Sequence, residues 1–462
     1  MSNLEKGVDL ISEKDLSKEQ KAAAKLVLNK KQNIFIQGSA GSGKSTFIKY
    51  LQVTSNKNIV LCSPTAIAAL NIGGTTLHSL FRLPIMDFIT DDRLFKANRK
   101  NVISVIQSMQ ILIIDEVSMV RPDVLDAVDK VCKRIRGNNK LPFGGVQVIL
   151  IGDLYQLPPV INKSTIKLFE DEYGTNDPYF FDAHVYKEAD FKNIQFTKIF
   201  RQTDKELLNN LNKIRNMTSL SSAIKYFNSC KITDKKILDY AVIITPYKDI
   251  ADKINKAKLD KIKDKEVQYK SELDGVFEKM SETSYPAPKV LRLKVGAMVI
   301  FNKNDKDKQW INGSVGIIED LQRAYIVIKL LSSGKTVIVG KDEWESKEYS
   351  TEFVEEEDEI THIPVLKKKI TETVIGTFKQ YPLQLGYSMT IHKAQGKTLD
   401  KVSIDLDRGA FAHGQLYVAL SRTRSKNDIN MLSSISERDV IFDNRIREFL
   451  NTISKKQSTK VI

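Results

Sequence analysis

Gly38, Gly43, Lys44 and Ser45 stand at the spacing G-x-x-x-x-G-K-[ST] within IFIQGSAGSGKST, residues 34–46. Such a stretch builds a phosphate-binding loop, in which backbone N–H groups freed by glycine wrap the phosphates of a nucleotide. The loop would comprise Gly38, Ser39, Ala40, Gly41, Ser42, Gly43, Lys44, Ser45 and Thr46, with Lys44 reaching the terminal phosphates and the Ser45 hydroxyl holding Mg²⁺. Asp115 and Glu116 close the apolar run ILII. Paired carboxylates at the end of a buried strand suit hydrolysis of a nucleotide, the first aligning Mg²⁺ and the second acting as general base. Asp153 and Gln156 follow another apolar strand in GDLYQLPPV, where a glutamine can touch both a γ-phosphate and an attacking water.

Positioning these groups requires alternating strands and helices. Residues 33–37 and 47–51 supply the strand and helix that flank the loop. Upstream, a helix is predicted over 18–29, with Ser17 and Gln20 spaced as a capping box. Gln20 has a competing use, a hydrogen bond to the nucleotide base. Residues 58–62, SPT and AIAAL form the next strand-and-helix unit of a parallel sheet. The segment 73–84, GGTTLHSLFRLP, reads as a loop able to hold DNA phosphates through Thr76 and to stack a base on an exposed Phe81, or as an ordinary loop with an apolar anchor. A helix is predicted over 122–136. Past residue 200 the pattern restarts with IFRQTDKE, a strand at 241–245 and a lysine-rich helix over 247–263. Residues 290–340 change to short strands with glycine turns, the pattern of a small barrel. The acidic run 355–359 reads as a solvated loop or edge strand, and residues 453–462 as frayed.

The 462 residues are too many for one ordinary core, and a hydrophobic share of 42% is enough to bury several. Lys and Arg outnumber Asp and Glu by 71 to 57, a net charge of +14 that suits a polyanionic partner or merely a lysine-rich surface. Cys62, Cys132 and Cys230 are widely spaced and suggest neither a disulfide framework nor a zinc site. With no signal peptide and no apolar run of membrane-spanning length, a cytoplasmic protein is expected, nucleoid-associated if its host is bacterial.

Taken in order, GSAGSGKS, SPTAIAAL, GGTTLHS, DEVSMV, GDLYQLPPV, FRQ, LKVGAMV, TIHKAQGKT and YVALSRTRS make the chain resemble a superfamily 1 DNA helicase of the RecD and PIF branch, and LDAVDKVCKRIRGNNKLPFGGVQ resembles a signature segment of the PIF family. The resemblance implies an α/β fold of two RecA-like P-loop domains with ATP in the cleft between them. The first would span 1–200, with a small wedge insertion at about 78–105. The second would span 201–285 and 378–462, interrupted by an SH3-like barrel at 286–377. The resemblance gives Gln20 an adenine-reading role beside its cap, sets Arg201 and Arg422 against the γ-phosphate, and lines the DNA strand with Thr65, Thr76, His78, Thr390 and His392. Phe81 would help part a duplex. Trp310, Asn312 and Gly313 fall in the barrel's best-matching motif, and Ala394 replaces the family's usual serine.

The implied activity is ATP- and Mg²⁺-dependent, 5'-to-3' translocation on single-stranded DNA with unwinding of tailed or forked duplexes. The alternatives are a translocase that remodels DNA complexes and a nucleotide-switched DNA-binding subunit of a larger assembly. A monomer in solution is expected, and G-quadruplex DNA is left open as a further partner.

Overall fold

The computed structural model describes residues 11–91, 94, 100–200, 204–232, 234, 238–357 and 364–459. Strands buried on every residue need cover on both faces, and parallel sheets provide it. Ile34–Gly38, Ile111–Ile114 and Gln147–Gly152 are buried throughout. They form the centre of a six-stranded sheet in the order Thr75–Thr76, Ile59–Ser63, Ile111–Ile114, Gln147–Gly152, Ile34–Gly38, Lys192–Phe196. All its pairings are parallel. A second parallel sheet runs Ser388–Thr390, Val242–Thr245, Val402–Ile404, Ile429–Met431. The candidate residues therefore gather at carboxyl ends: Gly38, Asp115 and Asp153 on the first sheet, Thr390 on the second.

Between the two arms of the second sheet lies a five-stranded antiparallel sheet, Thr336–Val339, Ile326–Leu330, Val315–Leu321, Met298–Phe301 and Leu383–Leu385. Trp310 stacks on Phe301 with centroids 4.7 Å apart, which makes it a packing residue of this sheet.

Two connections were not legible beforehand. Asp342–Glu357 pairs with Pro364–Gln380 in a long hairpin that crosses to the first sheet. There the Tyr349 hydroxyl accepts the Leu61 N–H at 3.0 Å, Asn58 Nδ2 donates to Lys368 O, and Arg82 pairs with Glu348. Acidic residues 355–357 lie in this hairpin, while 358 and 359 fall outside the described residues. Of the stretch 453–462 read as frayed, residues 453–459 instead continue the helix Asn444–Thr459, and 460–462 fall outside the described residues. That helix folds back on the first sheet, stacking Phe449 on Phe181 at 4.2 Å and burying Ile446 completely.

Phe81 also departs from expectation. It is 1% exposed, packed in the core beneath the first sheet with Leu77 and Leu80, so no face of its ring is open to a base. The short helix Leu77–Phe81 explains this, because its apolar stripe turns inward.

Candidate nucleotide and DNA site

The phosphate loop has the backbone its sequence demands. Gly41 and Gly43 both take φ of +80°, a region open to glycine and strained for other residues. A Cβ on Gly38 would sit 2.5 Å from Ser42 Oγ. Lys44 begins the helix Lys44–Thr54 and turns its Nζ back to Gly38 O at 2.8 Å and Ser39 O at 3.2 Å, holding a positive charge over the loop. Gln20 forms the predicted capping box with Ser17 and also donates to Gly43 O at 3.1 Å, so the cap braces the loop directly. Phe200, which drew no attention in the sequence, donates its N–H to Gly41 O at 2.8 Å and is 47% exposed beside Gly43. Its place as the first residue of FRQ was the available signal.

Asp115 follows its strand with its N–H on Cys62 O, and Glu116 adopts φ +52°, a left-handed conformation that costs on the order of 1–3 kcal/mol for a non-glycine residue. Burial raises both carboxyls above the ordinary carboxylate range; the charge of Glu116 adds to this at Asp115, and the Lys44 ammonium opposes it at both. Asp115 Oδ1 has no hydrogen-bond partner among the described residues. A divalent cation would supply the missing positive partner, and Mg²⁺ characteristically takes one or two carboxylates together with substrate phosphates. Ser45 and Asp115 are the residues that fit that role.

Gln156 lies at the centre of a buried amide and carboxylate chain. Its Nε2 donates to Asp153 Oδ2 at 3.0 Å, and its Oε1 accepts from Gln395 Nε2 at 3.3 Å. The same nitrogen of Gln395 lies 3.4 Å from Glu116 Oε2, so a residue of the second sheet's loop bridges two candidates of the first. Arg422 is fully buried on that second side. It donates to Val418 O at 2.7 Å and to Ala394 O at 3.2 Å, and its charge favours the ionised form of Glu116. Because the bond uses a main-chain carbonyl, alanine at 394 serves it as a serine would. Arg201 lies outside the described residues.

Thr65, Thr76 and Thr390 share one unanticipated feature. Each caps a helix, accepting the N–H of Ala68, Ser79 and Lys393 respectively. A capping hydroxyl uses an acceptor lone pair and keeps its proton to donate, so the same group can stabilise the helix and bind a phosphate. Burial holds the imidazoles of His78 and His392 below their ordinary pKa, with Arg121 adding to the effect at His78. Thr390 also lines a cleft of about 600 Å³ that carries Lys248, Lys256, Arg292 and Lys393. From the inserted sheet, Asn312 Oδ1 accepts Lys397 Nζ at 2.5 Å, and Gly313, at φ +101°, packs against Thr398 O.

A phosphate loop facing a second parallel sheet, with carboxylates, glutamines and a buried arginine between them, defines a two-domain P-loop nucleoside triphosphatase. Comparison with known proteins narrows this class. Residues 15–236 match the PIF1-like helicase family, and residues 361–462 match a herpes helicase family described as Helicase. The ATP-dependent DNA helicase Pif1 of Bdellovibrio bacteriovorus is 31% identical over 448 residues, covering 96% of this chain and 93% of that one. The crystal structure of Bacteroides sp. Pif1 with ADP-AlF4 superposes with a TM-score of 0.84 at 35% identity, over 96% of this chain and 97% of that one. Bacteroides Pif1 bound to single-stranded DNA gives 0.67 at the same identity, over 96% and 98%. The chain belongs to the PIF1-like helicase family, and its two parallel sheets are the cores of two RecA-like domains.

Proposed function

We propose that this protein is an ATP-dependent DNA helicase that moves 5' to 3' on single-stranded DNA and opens tailed or forked duplexes. The observation that carries the reading is the bridge from Gln395, on the second sheet's loop, to Gln156 and Glu116 on the first, because it joins a candidate DNA-side loop to candidate hydrolytic groups. Support comes from relatives named ATP-dependent DNA helicase, from Bacteroides Pif1 bound to single-stranded DNA, and from a Pif1 structure described as the basis for DNA unwinding at forked double-stranded DNA. On this reading the first domain covers 1–200 with the wedge at 78–105, of which 92, 93 and 95–99 lie outside the described residues; the second covers 201–285 and 378–462; and the antiparallel insertion at 286–377, which also takes the strand Leu383–Leu385 from beyond that boundary, is SH3-like. The protein acts in the cytoplasm and is a monomer away from DNA.

Within the cleft, Lys44 and the loop amides bind the phosphates of ATP, and Gln20 and Phe200 border its base. Glu116 accepts the proton of the attacking water while Gln156 orients that water. Ser45 and Asp115 would hold Mg²⁺, which when bound would supply charge neutralisation at the phosphates. Arg422 and Arg201 serve as the arginines for the γ-phosphate, a role in which a guanidinium stabilises transition-state charge by about 10³- to 10⁵-fold in rate. Thr65, Thr76, His78, Thr390 and His392 hold the DNA backbone, contacts that carry no sequence preference.

The test is steady-state ATP hydrolysis with and without single-stranded DNA. Wild-type protein should be stimulated by DNA, and Glu116→Gln should lose about 10²- to 10⁴-fold in turnover while still binding ATP. Undiminished hydrolysis by Glu116→Gln would remove Glu116 as the base.

A further inference from the structure

The loop carrying Gln156 is gripped from the opposite domain by a buried ion pair that no sequence motif announced. Arg215 stands near the end of the helix Lys205–Asn216, whose Leu207, Leu211 and Ile214 share a core with Val242, Ile244 and Val402 of the second sheet. From there its NH2 reaches Asp153 Oδ1 at 3.3 Å, with the two side chains 9% and 0% exposed. The guanidinium carbon lies 3.9 Å from the centre of the Tyr155 ring, so the group is fixed by a cation–π contact as well as by charge. Arg215 is thus the second domain's charged arm into the carboxyl edge of the first sheet.

Asp153 passes this grip on. Gln37 Nε2 donates to its Oδ1 at 2.8 Å and Gln156 Nε2 to its Oδ2 at 3.0 Å. An ionised carboxylate can only accept. The amino end of the Gln156 amide must therefore face Asp153, and its carbonyl end must face outward, where it meets Gln395 beside Glu116. A continuous series follows, from Arg215 through Asp153, Gln156 and Gln395 to Glu116.

We propose that Arg215 is a positioning residue for ATP hydrolysis, acting through Asp153 to fix the amide of Gln156, so that the placement of the second domain's helix sets the hydrolytic geometry of the first. This rests on the reading of Gln156 as a participant in hydrolysis. Arg215 touches neither ATP nor DNA in this scheme, and its effect appears in turnover rather than in nucleotide binding.

The experiment measures DNA-stimulated ATPase kinetics of the full chain in Arg215→Gln, Gln156→Ala and the combined variant, with melting temperatures alongside. Arg215→Gln should lower kcat by about 10- to 100-fold, the size expected for a misplaced catalytic group, with KM for ATP within about threefold of wild type. The combined variant should turn over at the rate of Gln156→Ala alone, because the arginine has nothing further to position. Arg215→Gln also leaves a buried carboxylate unpaired, so Arg215→Gln with Asp153→Asn serves as the stability control. It should regain the melting temperature and remain slow. Multiplying losses in the combined variant, or full kcat in the Arg215→Gln/Asp153→Asn protein, would overturn the proposal. Undiminished kcat in Gln156→Ala would instead overturn the reading of Gln156 on which it rests.

Discussion

A single histidine shows how tightly the two domains are fitted at the nucleotide cleft. His413 Nε2 donates to Leu154 O at 2.9 Å, Nδ1 accepts the Asp443 N–H at 3.1 Å, and the ring packs edge-on to Phe442. That pattern requires a neutral imidazole, and burial lowers its pKa despite the Leu154 carbonyl and the charges of Asp443 and Asp153. The unfolded chain therefore takes up this proton more readily than the folded one, so the histidine's stabilising contribution is present above the ordinary imidazole pKa and lost as pH falls from there through the lowered pKa of the folded state. His413→Asn should melt below wild type at pH 7.5, by an amount reflecting about 1 kcal/mol per lost hydrogen bond. The gap should narrow by pH 5.5. A gap of constant size across that range would show that His413 does not titrate in this way. At this scale much was legible in advance, because the phosphate loop, Asp115, Glu116 and Gln156 depend on local spacing. Arg215, Tyr155 and His413 were not, since their partners lie far away in sequence. Phe81 was misread because its burial is decided by the inward stripe of a five-residue helix.

Among the elements, the loop 394–399 receives contacts from two directions. Arg422 binds the carbonyls of Ala394 and Lys397, while Asn312 and Gly313 of the inserted sheet press on Lys397 and Thr398. An added Cβ at Gly313 would stand 2.2 Å from Thr398 O in a backbone conformation hostile to side chains. Gly313→Ala should thus displace the loop and lower DNA-stimulated ATPase by about tenfold, by misplacing Gln395 and Arg422. Unchanged kcat in a folded Gly313→Ala protein would separate the insertion from hydrolysis. The helices 18–30 and 122–136 and the central strands could be read from their caps and apolar runs. The long hairpin Asp342–Glu357 with Pro364–Gln380 could not, because its charged, alternating residues look like loop until Tyr349 and Asn58 reveal what it leans on.

For the whole molecule, the domain crossings matter most. The chain leaves the first sheet after Lys192–Phe196, returns to it through the hairpin, and returns again through Asn444–Thr459, whose Phe449 packs against Phe35, Phe181 and Tyr186. Order along the chain revealed two α/β units, but these returns are tertiary packing events with no local signature. They tie the insertion and the C-terminal helix to the domain that carries Lys44, so movement of the second domain is constrained at several points around one cleft. Such a machine should convert ATP turnover into directed motion along DNA.

That claim is tested most directly by ATP-dependent unwinding of two matched duplexes, one with a 5' single-stranded tail and one with a 3' tail, using Lys44→Ala as the inactive control. The wild-type protein should open the 5'-tailed duplex and leave the 3'-tailed duplex closed, and Lys44→Ala should open neither. Opening of the 3'-tailed duplex alone, or ATP hydrolysis with neither duplex opened, would contradict that claim.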